Sequence, residues 1–512
     1  MSAMKRGQLH EIQGVRVLLS VSVVALHTST ILMYYLSAAY GDKDLLDFKN
    51  APWQGIVRGL ACQVDVFMAI SGYLTAKSLL SDVSMAETSS LIDTIIKVVY
   101  FMAKKVIRLW PCALVSVLLA YIMNDINVSP LSSLLYKILT FEMDEASTPM
   151  SLVVIWSNKV EIIATLLLSS ILLIPSTRKL VTSSKYWVIF SLLIIVLTII
   201  PPTLTFINYS TLSLSLMQNS DSNIPLYMST QRVAWLQDAY NMTNAPINSI
   251  YPIIEKITNF QGVEQYDDKR LVRLLYAKLL YLAPSARITP FFIGCFSYVA
   301  VTKSTSATAS SFYNKLMHVV LVIASSTILL LPALLGLKNY RLYQQGSVAS
   351  GHAAARGVVD AVSGHDAARG VGDYILLVML RPLYAAAASY FLYRIYSKND
   401  VFAESIIDTA RKALSIPLFQ ALGKVTYCVY IIHFRFLLDI VMWYITPDHL
   451  SALSGIKNIG FFHLCFYTAL TYMVCGCIAY FIHRFIEIPS IKLGTLLLDN
   501  FILQISKKRK IE

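Results

Sequence analysis

Charge is scarce in this sequence. Asp, Glu, Lys and Arg make up 14% of its 512 residues and hydrophobic residues 56%, with a mean hydropathy of +0.59. That balance leaves too little polar surface to solvate a set of globular domains. Acidic residues are the scarcer sign, 30 against 43 basic ones, for a net charge of +13. No basic cluster falls on a soluble module, so nucleic acid is not expected as a partner. Cysteine is sparse too. All seven (Cys62, Cys112, Cys295, Cys428, Cys465, Cys475, Cys477) lie in or beside apolar stretches, which implies no disulfide framework. Cys475-Gly476-Cys477 has no second ligand pair at metal-binding spacing and reads as small-residue helix packing, so neither a metal nor a bound cofactor is expected.

What the sequence has in abundance is long apolar runs. About 20 apolar residues cross a bilayer core as helix, and stretches near that length fall at 17–38, 55–79, 100–123, 151–175, 186–207, 287–303, 316–337, 374–395, 416–446 and 459–482. The fold class expected is therefore all-α, a polytopic transmembrane bundle of about ten spans. The first run is too long for a cleavable signal and lacks a small-residue cleavage site, so it is expected to remain in place. Basic residues of short loops, Lys5, Arg6, Arg16, Arg178, Lys179, Lys185, Arg394, Lys398, Arg411, Lys412 and the Lys507–Lys510 run, share one side if both termini are cytosolic. The sequons at Asn127, Asn208 and Asn241 then fall outside or in a lumen, as glycosylation requires. The expectation is a multi-pass protein of the plasma membrane or an endomembrane, with membrane lipids as neighbours.

One membrane domain, 17–493, occupies nearly everything between a cytosolic N-terminus (1–16) and a basic tail (494–512). Two loops are long. The outer one, 208–286, ends in "DDKRLVRLLYAKLLYLAP", whose leucines and basic residues at helical spacing suit either a surface-lying amphipathic helix or a plain packing helix. The second, 338–373, holds two Gly/Ala-rich copies, "SGHAAARGVVD" and "SGHDAARGVGD". Two such copies cannot bury a core and read as a mobile insertion.

Ionisable groups in hydrocarbon are costly and mark function by default. Here they are His27, Asp65, Arg108, Lys159, Glu161, Arg381, Lys424, His433, Arg435 and Asp439. The eleven residues from Arg16 to His27 make about three helical turns, which leaves both on one face about 16 Å apart. One helix face then carries a cation at the membrane edge and a base inside.

Taken in order, several segments resemble the acyltransferase 3 family of membrane proteins. "GVRVLLSVSVVALH" is similar to its R-x10-H first span, "VDVFMAISGYL" to V-D-x-F-F-x-x-S-G, and "KKVIRLWPCAL" to the basic R-x-x-P start of span three. Three more resemble the animal branch called nose resistant to fluoxetine: "YLAPSARITPFFIGC", "LGKVTYCVYIIH" and "FIEIPSIKL". The fourth-span element departs from the pattern. In "WSNKVEIIATL" Trp156, Val160 and Glu161 remain, while the family's Gln-Phe-Tyr is replaced by Ile163, Ala164 and Thr165.

The resemblance implies transfer of an acyl group from cytosolic acyl-CoA, a co-substrate, to a hydroxyl or amine of a lipid, sugar or small hydrophobic acceptor. His27 would be the general base, with Glu161 orienting it or holding the acceptor, or else paired structurally with Lys159. Arg16, Arg108, Lys104 and Lys105 would meet the donor's phosphates. Asp65 is expected to pair with Arg287 or Arg381, Ser71-Gly72 to be a close-packing site, and Tyr427 and His433 to line the cavity or pack within it. Two other readings stay open: a lipid or small-hydrophobe transporter using the same cavity, and an inactive scaffold descended from such enzymes.

Overall fold

A computed structural model describes residues 10–39, 51–81, 91–122, 154–174, 187–220, 284–304, 378–396, 404–444 and 460–511, with a few single positions between them. The described residues are almost entirely helical, with no strand among them. The helices are α1 (His10–Ala39), α2 (Pro52–Gly59), α3 (Gln63–Ser81, entered through a 3-10 turn Leu60–Cys62), α4 (Leu91–Ile122), α5 (Trp156–Leu173), α6 (Trp187–Ser220), α7 (Pro284–Ser304), α8 (Leu380–Tyr396), α9 (Glu404–Leu414), α10 (Pro417–Tyr444), α11 (Phe461–Ile482) and α12 (Ile488–Ile511). Among the described residues five helical stretches are long and apolar enough to cross a membrane: His10–Met33, Ile95–Ile122, Val188–Ile207, Pro417–Val441 and Phe461–Phe501, with a shorter apolar helix at Arg287–Thr302.

Most element boundaries fall near the apolar runs; the run at 55–79 is divided by the 3-10 turn at Leu60–Cys62, and α4 begins at Leu91, nine residues before the run at 100. Helix α1 starts at His10, seven residues before the run at 17, because Glu11, Gln13 and Arg16 extend a helix as readily as they end a hydrophobic segment. Helix α9, rich in Glu, Asp, Arg and Lys, lies where only a loop was expected. Residues 494–511, expected as a tail, continue α12. The run at 316–337, the repeat at 338–373, most of the outer loop at 208–286 and the sequons at Asn127 and Asn241 lie outside the described residues. Asn208 falls within the helical span of α6. Prolines 111, 201, 202 and 290 stand inside helices, as spanning helices tolerate better than soluble ones do.

Two packing centres organise the bundle. In the first, α7 lies along α3 and touches α5, α6 and α8; in the second, α1 and α11 pack on α10. Helix α4 joins them, touching α5, α10 and α12. Inside, Val23, Met68, Val160, Phe291 and Phe292 form one apolar cluster, and Val24, Val429, Ile432 and Cys475 another. The outside is apolar as well. Helix α6 turns Ile189, Leu192, Leu193, Val196, Leu197 and Ile200 outward, and Phe462 on α11 is 85% exposed. A continuous apolar exterior of this extent suits lipid rather than water.

Candidate functional site

Buried polar groups are handled differently in the two centres. In the first, the α3–α7 crossing brings backbones into contact. A Cβ on Gly72 would run into the Phe291 carbonyl and one on Gly294 into the Ala69 carbonyl, while Cys295 Sγ donates to Gly72 O at 3.2 Å. This close approach seats Arg287 Nη1 on both carboxylate oxygens of Asp65, at 2.7 and 2.8 Å, with both side chains fully buried. Trp156 covers the guanidinium, its ring centroid 5.2 Å from Arg287 Cζ. Of the two partners expected for Asp65, Arg287 is bonded to it; Arg381 is buried on α8, within electrostatic reach of Cys62.

In the second centre α1 and α10 bring His27 against His433, 406 residues away. His27 Nδ1 is 2.7 Å from His433 Nε2. The ring planes agree within 1° and the centroids are 5.0 Å apart, so the rings lie edge to edge in nearly one plane rather than face over face. The other nitrogen of His433, Nδ1, is 2.7 Å from the Tyr430 carbonyl. A carbonyl only accepts, so this Nδ1 carries a proton; in the neutral ring Nε2 is then an acceptor. His27 must donate to it from Nδ1, which leaves the lone pair of His27 on Nε2. His433 is fully buried whereas His27 is only half-buried, with Phe434 edge-on to its ring at 5.0 Å. The chain Tyr430 C=O, His433, His27 thus fixes which nitrogen of the outer histidine is basic.

A polar interior continues from the pair. Glu161 on α5 does not touch His27. Its carboxylate accepts from Ser71 Oγ at 2.5 Å and pairs with Lys105 Nζ at 3.0 Å. Lys105 also donates to Thr75 at 3.0 Å and Thr165 at 2.6 Å, and Thr165 donates to the Glu161 carbonyl at 2.6 Å. The partner of Glu161 is therefore Lys105 rather than Lys159, which is two residues away on the same helix and on a different face. Ser71 serves this network, and its neighbour Gly72 makes the close packing. Thr165, standing where the resembled family has an aromatic, fills one of the three bonds around Lys105.

Arg16, half-buried and 3.4 Å from Gln13 Oε1, lies close enough to Arg108, Glu161 and Glu487 to feel their charges. Arg108 is exposed. Three of the four cations expected together, Arg16, Lys105 and Arg108, thus border one region; Lys104 instead covers the Tyr100 ring at 4.1 Å, on the side where Tyr100 donates to Asp499 of α12. Tyr427 donates to Leu109 O and accepts from Asn158, both at 2.9 Å, bridging α4, α5 and α10.

Sequence reasoning missed three features: the bond between the two histidines, the role of Asn158, and a group around Cys112, Cys428, His483 and Glu487. All join residues far apart in the chain, so no local spacing announces them. Compared with family profiles, with curated proteins and with solved structures, the chain finds no match in any of the three.

Proposed function

We propose that this chain is an integral membrane acyltransferase, similar to the acyltransferase 3 family and its nose resistant to fluoxetine branch, with about ten spans and both termini cytosolic. The observation that carries the reading is the in-plane His27–His433 bond, which leaves the free lone pair of the partly exposed His27 ring on Nε2. In the proposed reaction His27 Nε2 takes the proton of the acceptor hydroxyl or amine as the oxygen or nitrogen attacks the acyl-CoA thioester carbonyl. The C–S bond then breaks, and the departing thiolate recovers the proton from the imidazolium. While His27 is charged, its Nδ1–H points at the His433 lone pair, and His433 in turn leans on the Tyr430 carbonyl. Arg16 and Arg108, about three turns toward the cytosolic edge, would face the donor's phosphates. Lys105, already bonded to Glu161, Thr75 and Thr165, is better placed to hold Glu161 than to bind donor.

The test uses the purified full chain in lipid nanodiscs with acyl-CoA carrying a radiolabelled acyl group and a hydroxyl-bearing lipid extract. Label should leave the thioester for acceptor or water with wild type and stop with a His27→Ala protein that remains folded. Undiminished transfer by folded His27→Ala would end the reading. Movement of intact lipid between leaflets without label transfer would favour the transporter, and neither activity would favour the scaffold.

A further inference from the structure

We propose that Cys112, Cys428 and Glu487 form a buried site for a divalent cation of the zinc class, held in shape by His483. Cys112 comes from α4 and Cys428 from α10, and their sulfurs are 2.9 Å apart across 316 residues of chain. Cys428 Sγ is 3.4 Å from Glu487 Oε2. One ligand atom from each of the three residues lies within 4.8 Å of the others, and all three side chains are buried. His483 Nδ1 meets the same Glu487 oxygen at 2.6 Å and fixes the direction of the carboxylate.

The backbone that presents these groups is unusual. Between α11 and α12 the chain makes a π turn, His483–Glu487, in which the Ile488 N–H reaches back five residues to the His483 carbonyl. Such turns within helices gather at functional sites. Here the wider turn places the His483 and Glu487 side chains against one another and aims the carboxylate at the two sulfurs.

Two chemistries would suit two sulfurs this close, a bound cation or a disulfide. Zinc-bound thiolates with bonds of about 2.3 Å in tetrahedral geometry lie roughly 3.8 Å apart, so small side-chain rotations would open the pair around an ion. A disulfide would close it instead. The surroundings favour the ion. A disulfide has no use for a carboxylate and an imidazole at its sulfurs, whereas two thiolates and a carboxylate make a three-ligand set, with an oriented second layer of the kind metal ligands require. Charge balance agrees: exchanging two thiol protons for one dication leaves the net charge of the buried group unchanged, and Arg16 lies within electrostatic reach of Glu487. In the orientation proposed above the group sits in the cytosolic half of the bundle, where thiols stay reduced. The cation would tie α4, α10 and the α11–α12 turn together beside the Arg16 region.

Full-length protein in detergent, stripped with chelator and reductant, is given zinc or cobalt(II), desalted, and assayed for metal by mass spectrometry. We expect one equivalent per chain and, with cobalt, thiolate charge-transfer absorption. Cys112→Ala and Cys428→Ala should each lose both signals, and His483→Ala should weaken affinity 10- to 100-fold while keeping the cobalt spectrum. Should a single variant fail to fold, thiol reactivity of the wild type decides: zinc must protect Cys112 and Cys428, read by peptide mapping after alkylation. The proposal is overturned by no bound metal, by metal retained in the cysteine variants, or by an intact mass two hydrogens low that reductant restores. None of these readouts depends on acyl transfer, so the site and the enzymatic reading can fail separately.

Discussion

The α3–α7 crossing and the α1–α10 seam each bond two polar side chains inside the same membrane-compatible bundle, yet the crossing closes over both and the seam leaves one ring partly exposed. At the crossing, glycine backbones touch, and Asp65 and Arg287 have no exposed side-chain surface. At the seam, His27 is half-buried and its partner His433 is sealed behind it. An ion pair that is closed on every side can only stabilise or specify packing. A base that is held by a buried partner but is itself accessible can exchange protons. The partner is buried at both sites; what separates them is that His27 itself keeps some exposed surface, while neither member of the ion pair does.

The comparison breaks most severely if the closed pair is opened. Asp65→Ala should cost about 3–5 kcal/mol by stranding the Arg287 charge, seen as a lower melting temperature or loss of monodisperse protein in detergent. Asp65→Leu combined with Arg287→Met should recover most of that loss; if it does not, the pair does more than hold two helices. Next comes the crossing itself. Gly294→Ala pushes a methyl group into the Ala69 carbonyl, and we expect about 1–3 kcal/mol of destabilisation, with the Asp65–Arg287 contact disturbed as a consequence.

Smaller effects sharpen the other side. His27→Ala should lower stability by about 1 kcal/mol, the net worth of one neutral hydrogen bond, while the proposed transfer is lost. A melting temperature that falls as far as with Asp65→Ala would mean the histidine pair is a packing element like the ion pair. The smallest effect belongs to Arg435 and Asp439, an i,i+4 pair at 3.0 Å with Asp439 39% exposed. Asp439→Ala should shift stability by about 0.5 kcal/mol or less, measured in the same melts.

The helical class was legible because hydrocarbon demands long apolar runs, and α10 and α11 follow theirs closely. His27 was legible because a polar residue in such a run is conspicuous and because eleven residues is a whole number of turns from Arg16. Its partner's role was not, since periodicity orders residues along one helix and says nothing about which helix lies alongside. The same reason hid Lys105 from Glu161: Lys105 carries a charge near a span end, where the positive-inside pattern explains it without any partner. Helix α9 was hidden differently. It is short and charged, so its signal is the helical spacing of Ile406, Ile407, Ala410 and Leu414 rather than a long apolar run, and it is held in part by Arg411 Nε on the Ile395 carbonyl at 2.7 Å.

The π turn at 483–487 also sets a rotational phase. One residue of helix corresponds to about 100°, so the extra residue in that turn decides which face of α12 meets α4. With it, Gly494 rests against Ile107, and Asp499 receives the Tyr100 hydroxyl. Shortening the turn by one residue, for instance by deleting Ile486, would leave the composition of α12 almost untouched and turn its contact face away by more than a quarter of a revolution. The length of a five-residue segment thereby controls the register of a helix of 24 residues, and a single deletion there is a change of phase rather than a loss of any one contact.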